Sequence, residues 1–101
     1  MKIKASVQNN VASVKMLIPH PMETGRRKDQ GGAIVPAKFI TEVTATSGGD
    51  TVFHAELGPG VSKNPYLSFQ FDGAKAGDVL KVSWVDSTGG SGNGEAAIAA
   101  M

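Results

Sequence analysis

The sequence predicts an all-β fold, an immunoglobulin-like antiparallel β-sandwich of about seven strands, and three observations predict it. Apolar and polar residues alternate with a period of two in run after run. Clusters of Gly, Pro, Asn, Asp and Ser separate the runs. No stretch of ten residues carries an apolar stripe at helical spacing. At 101 residues, the chain suits a single domain, 1–101, built on one core.

The elements follow in order. KIKASVQ puts Ile3, Ala5 and Val7 on one face, and VASVKMLI continues with Val14, Met16 and Ile18, turning Leu17 the other way. KFITEVTAT offers Phe39, Thr41, Val43 and Ala45 to one side and Ile40, Glu42 and Thr44 to the other. TVFHAEL sets Phe53, Ala55 and Leu57 against Val52, His54 and Glu56. YLSFQFD alternates most cleanly, with Leu67, Phe69 and Phe71 inward and Ser68 and Gln70 outward. VLKVSWVD sets Leu80, Val82 and Trp84 against Lys81, Ser83 and Val85. GEAAIAAM reads as a short, weak last strand that leaves one edge of the sandwich under-protected. Trp84 and the aromatic inner faces are expected to fill the core, and the aromatic-rich later strands to form its better-packed half.

Composition excludes several classes of function. The chain has no cysteine, which removes thiol catalysis, disulfides and thiolate metal ligands. A net charge of +1, without a basic stripe, gives no footprint for nucleic acid. The opening MKIKASVQNNVASVKMLIPH alternates and lacks the apolar centre of a signal peptide, and no apolar run reaches membrane-spanning length. The expectation is a soluble protein with no export address of its own.

The longest irregular stretch runs from Pro19 to about Pro36, and a loop of that length in so small a domain is usually functional or mobile. It holds LIPHPMETGRRKD. Met16, His20 and Met22 could serve as soft Cu(I) ligands, yet no ligand spacing supports a metal site. A hydrolase triple could be assembled from Ser62, His20 or His54, and Asp86, but no nucleophile sits at a strained elbow. STGGSGNGE lacks the lysine of a phosphate loop and reads as a flexible hairpin connection. In GRRKD, the residues Arg26, Arg27 and Lys28 could meet carboxylates or an oxyanion; equally, Glu23 and Asp29 could balance them in a solvated loop.

LIPHPMETGRRKD, IVPAKFITEV, GPGVSKNPYLSFQF and VSWVD come in the order and at the spacing of the SoxZ family, which the chain resembles from about Ile3 to Ile98. Only the carboxyl-terminal STGGSGNGEAAIAAM matches loosely. The resemblance implies an immunoglobulin-like subunit that pairs with SoxY in the heterodimeric SoxYZ carrier. Sulfur intermediates of thiosulfate, sulfide or sulfur oxidation ride covalently on a SoxY cysteine. It implies no enzymatic activity and no cofactor, transient contact with other Sox enzymes, and a periplasmic location reached by co-export with SoxY. The partner-binding candidates are His20, Met22, Arg26, Arg27 and Lys28, together with the turn Asn64, Pro65 and Tyr66. For that turn the alternative is a structural one, a strand start with Tyr66 as a core plug. The rival class of function is a small periplasmic copper- or oxyanion-binding sandwich.

Overall fold

Asn9 and Asn10 both take left-handed backbone, φ 53° and 64°, the conformation a two-residue type I′ hairpin turn demands. They join β1 (Lys2–Gln8) to β2 (Val11–Leu17). The computed structural model describes residues 1–101. The remaining strands are β3 (Ile40–Ser47), β4 (Asp50–Glu56), β5 (Tyr66–Asp72), β6 (Val79–Asp86), β7 (Ser91–Ala97) and the two-residue β8 (Ala99–Ala100). They form two four-stranded sheets, ordered β5-β2-β1-β8 and β4-β3-β6-β7, packed as a β-sandwich. All pairings are antiparallel except β1 with β8, which is parallel.

The core lies between the central strands. Val14, Met16 and Ile18 from β2 and its end meet Ile40, Val43 and Ala45 from β3 and Leu80 and Val82 from β6, all essentially inaccessible. Each such large side chain contributes roughly 1.5–3 kcal/mol relative to exposure. The aromatic residues do not form the better-packed half. Phe53, Phe69, Phe71 and Trp84 are only half-buried, and Phe53 stacks on Phe69 at 4.3 Å where β4 and β5 approach along one open side. Phe53, Phe69 and Phe71 stand on the edge strands β4 and β5, which border on one side only, so part of their surface stays in water; Trp84 stands on the inner strand β6.

The alternation set Phe39 on one face with Thr41, Val43 and Ala45, and Ile40 on the other; instead Ile40 is fully buried with Val43 and Ala45, and Phe39 is only half-buried. The cause is a bulge: Ile40 faces Asp86 and Glu42 faces Val85, leaving Thr41 without a register partner on β6, where only its hydroxyl donates to the Val85 carbonyl at 3.2 Å, and inverting the phase of the strand there. The carboxyl-terminal stretch also differs from its reading as a flexible connection. The turn occupies only the residues after Asp86, and Ser91–Ala97 pairs along the whole of β6. Its inward positions are glycines because neighbouring side chains fill their space. A Cβ on Gly92 would lie 2.6 Å from the Trp84 ring, and one on Gly94 would lie 3.2 Å from the Met1 sulfur. The inner face of β7 is therefore covered by the start of β1, and the next residue, Ile98, is fully buried.

The stretch between β2 and β3 is a narrow two-stranded ribbon rather than irregular chain. Glu23 and Lys38 exchange both backbone hydrogen bonds, at 2.7 and 2.9 Å. The amide of Val35 donates to Arg27 and that of Asp29 to Ala33, both at 2.8 Å. At the tip, Asp29 Oδ1 accepts from the amides of Gly31 and Ala33, at 2.9 and 3.0 Å, closing the turn with its own side chain. No residue from Thr24 to Lys38 is buried. The ribbon stands off the sandwich, and the molecule is elongated, 53 × 22 × 17 Å. Its radius of gyration is 15.7 Å, against about 13 Å for a compact chain of this length.

Candidate partner-docking site and the histidine–aspartate node behind it

Three segments far apart in sequence meet where the ribbon leaves the sandwich. His20 follows β2, Asn64 precedes β5, and Asp86 ends β6. Asn64 Oδ1 accepts the His20 amide at 3.0 Å, and the Asn64 amide donates back to the His20 carbonyl at 2.9 Å. Asn64 can do both because it adopts φ 53°, a backbone region that asparagine enters more readily than most residues. The turn before β5 is thus tied to the root of the ribbon.

The His20 ring is only 4% exposed with its residue, and both its nitrogens are occupied. Nδ1 accepts the Met22 amide at 3.0 Å, so the proton sits on Nε2, which donates to Asp86 Oδ2 at 3.1 Å. The ring also meets Trp84 edge-on, at 5.2 Å and 87°. Asp86 Oδ1 accepts the Thr88 amide and hydroxyl, at 3.0 and 2.8 Å, and the Gly90 amide at 2.8 Å. Burial pushes the Asp86 carboxyl up, but hydrogen bonds from His20, Thr88 and Gly90 outweigh it and hold the group well below the usual carboxylate range. Gly90 is required there: a Cβ would lie 2.7 Å from Asp86 Oδ2.

This geometry has no free valence for chemistry. A hydrolase triad needs the second imidazole nitrogen facing a nucleophile, and here that nitrogen is held by Met22. A Cu(I) site at Met16, His20 and Met22 would need a free ring nitrogen and free thioethers. Both nitrogens are engaged, Met16 is core, and the Met22 sulfur accepts the Ile40 amide at 3.3 Å. Met22 takes φ 49° to do so, a strained choice for an unbranched apolar residue. The node is a structural rivet that fixes how the ribbon leaves the sandwich.

The candidate residues divide accordingly. His20, Met22 and Pro65 are buried and offer no surface for direct contact. Arg26 and Lys28 are exposed on the ribbon and enter no ion pair. Arg27 is committed: its Nη2 donates to Glu23 Oε1 at 2.8 Å and its Nε reaches both carboxylate oxygens, at 3.2 and 3.1 Å. That bond holds the Glu23 carboxyl below its usual range and raises Arg27. Asn64 is exposed while tied to His20. Tyr66 is 60% exposed, so it is no core plug, and Ile34 on the ribbon is 61% exposed. Sequence reasoning set His20 and Asp86 together only as members of a possible hydrolase triple; the fold joins them, across 66 residues, as a structural pair.

The converging segments are the HPMETG, NPY and WVD stretches. A family model described as sulphur oxidation protein SoxZ matches residues 1–97. The chain belongs to the SoxZ family. SoxZ members are non-catalytic carrier subunits and periplasmic components of the Sox pathway, and this chain is a SoxZ-type, cysteine-free subunit of sulfur oxidation. Among curated proteins, none matches the chain. For a SoxZ subunit the occupied His20 ring has a ready explanation: its work is to hold three segments in one frame, and sulfur has no thiol here to ride on.

Proposed function

We propose that this SoxZ-family chain acts as one domain, an immunoglobulin-like sandwich, that pairs one-to-one with SoxY. The cysteine of SoxY carries the sulfur intermediates, and this chain supplies a stiff recognition surface beside it. The pair forms before export and reaches the periplasm on the signal of SoxY. The ribbon from Glu23 to Lys38 is the docking arm for the enzymes that act on the cargo in turn, with Arg26 and Lys28 as its charged contacts and Tyr66 flanking its root. Successive enzymes need modest, transient contacts, which exposed charge at the tip of an arm suits.

The observation that carries this reading is the family match over residues 1–97 in a chain without cysteine. Native mass spectrometry of the chain co-expressed with the SoxY of the same genome tests it. The expected result is a one-to-one complex in which sulfur adducts add only to the mass of SoxY. A chain that stays monomeric beside SoxY would overturn it.

A further inference from the structure

Sheets end in edges, and folded proteins usually blunt them with charge, proline, bulges or shortness. Three of the four edges here are blunted. β8 is two residues long, β7 carries the exposed charge of Glu95 among glycines that weaken strand pairing, and β4 carries Asp50, His54 and Glu56 beside a bulge in its pairing. β5 has none of these devices. From Tyr66 to Phe71 it holds no charge and no proline, and its register with β2 runs unbroken over seven residue pairs.

The direction of its free backbone groups can be derived. The Ile18 amide donates to the Pro65 carbonyl at 3.0 Å, so that pair is a hydrogen-bonded one. Antiparallel pairs alternate, so with the observed register Leu67, Phe69 and Phe71 bond to β2. Tyr66, Ser68, Gln70 and Asp72 therefore turn their N–H and C=O outward. At the far end the Gly73 amide donates to the Asn10 carbonyl, in step with this alternation.

Charge selects the occupant. The outer face of this sheet presents Lys2, Lys4 and Lys15, with Lys4 and Lys15 directly opposed, and meets no carboxylate before Asp72. Like charges across a strand pair cost stability, and the neutral row Tyr66, Ser68 and Gln70 leaves Lys15 free to reach beyond the edge. A second copy answers this poorly. Antiparallel β5–β5 pairing preserves the face, so it would lay both lysine sets on one continuous surface. At the β4 edge, Glu42 and Glu56 would repel an acidic strand.

We infer that β5 is a strand-addition site, where an extended acidic segment of SoxY joins the β5-β2-β1-β8 sheet through the outward groups of Tyr66, Ser68, Gln70 and Asp72. This rests on the pairing proposed above and specifies how it is made: main-chain bonds give affinity, and the lysine face selects acidic side chains.

Amide exchange of the ¹⁵N-labelled chain, alone and in complex with SoxY, tests it. Strand addition slows the amides of Tyr66, Ser68, Gln70 and Asp72 at least tenfold and leaves Leu67, Phe69 and Phe71, already bonded, little changed. Ser68→Pro removes an outward donor without touching the β2 ladder and should weaken the complex at least tenfold, as Lys15→Glu should more modestly. A complex that forms without the alternating pattern overturns the strand addition and leaves the pairing standing. Absence of any complex overturns the pairing and the site with it. The same alternating protection in a concentrated sample of the chain alone would make a second copy the occupant and overturn the assignment to SoxY.

Discussion

His20 Nε2 and Asp86 Oδ2, 3.1 Å apart and both buried, join the segment after β2 in one sheet to the last residue of β6 in the other. The bond closes the sandwich at the end from which the ribbon departs. The carboxylate half of this link has a definite pH signature. Asp86 is held below the carboxylate range in the folded chain, whereas in the unfolded chain it titrates near about 3.9. Between those two values the unfolded state binds the extra proton, so stability rises with pH there. The contribution is complete above the unfolded value and is lost as pH falls toward the folded one. Urea midpoints at pH 6, 4 and 3 should therefore fall for the native chain and fall less for Asp86→Asn. Parallel curves would show that Asp86 is not the group responsible.

His20→Ala removes the donor to Asp86, the acceptor for Met22 and the edge contact on Trp84 together. A buried carboxylate left short of a partner is a costly outcome. Melting should drop by roughly 10 °C. His20→Gln, which can keep one donor near Asp86, should recover part of the loss. Copper affinity should be unchanged by either variant, since neither ring nitrogen is free. Calorimetry with Cu(I) on the native chain and on His20→Ala checks the last point, and tight binding lost on substitution would revive a metal role.

What the sequence could reveal was set by side chains that alternate. Val14, Met16 and Ile18, and likewise Leu80 and Val82, stand in the core where period two places them. Period two failed at Phe39 because one unpaired residue, Thr41, inverted the strand, and a bulge leaves no trace in an alternating pattern. It was silent over Ser91–Gly94, where the inward positions are glycines and the volume that defines them belongs to Trp84 and Met1. The ribbon escaped for another reason: with both faces in water, its residues have no apolar period to show. Of the candidate site, the family motifs marked His20, Asn64 and Asp86 separately, and only the fold brings them into contact.

The glycines of β7 should differ sharply in tolerance. Gly92→Ala drives a methyl to within 2.6 Å of the Trp84 indole, a rigid ring that itself braces His20. Overpacking of that kind costs about 1–3 kcal/mol. Gly94→Ala meets the flexible end of Met1 at 3.2 Å, which can move aside. Denaturation followed by Trp84 fluorescence should show a large destabilisation with an altered emission maximum for Gly92→Ala, and a small one with native emission for Gly94→Ala. Equal effects would show that β7 does not pack as described.

The basic triplet of the ribbon should split by function. Arg27 is tied to Glu23 and shapes the ribbon, whereas Arg26 and Lys28 carry charge that nothing on this chain answers. Charge reversal at Arg26 and Lys28 together should raise the KM of enzymes acting on the SoxY-bound cargo by about tenfold or more, with melting unchanged, because rim charges act on encounter rather than on folding. The KM of the native carrier should rise with ionic strength, and that of the double variant should not. Arg27→Ala should loosen amide protection at Val35 and Asp29 with a smaller effect on KM. If Arg27→Ala proved the more damaging for transfer, the contacting charge would be Arg27 and its bond to Glu23 would have to open on docking.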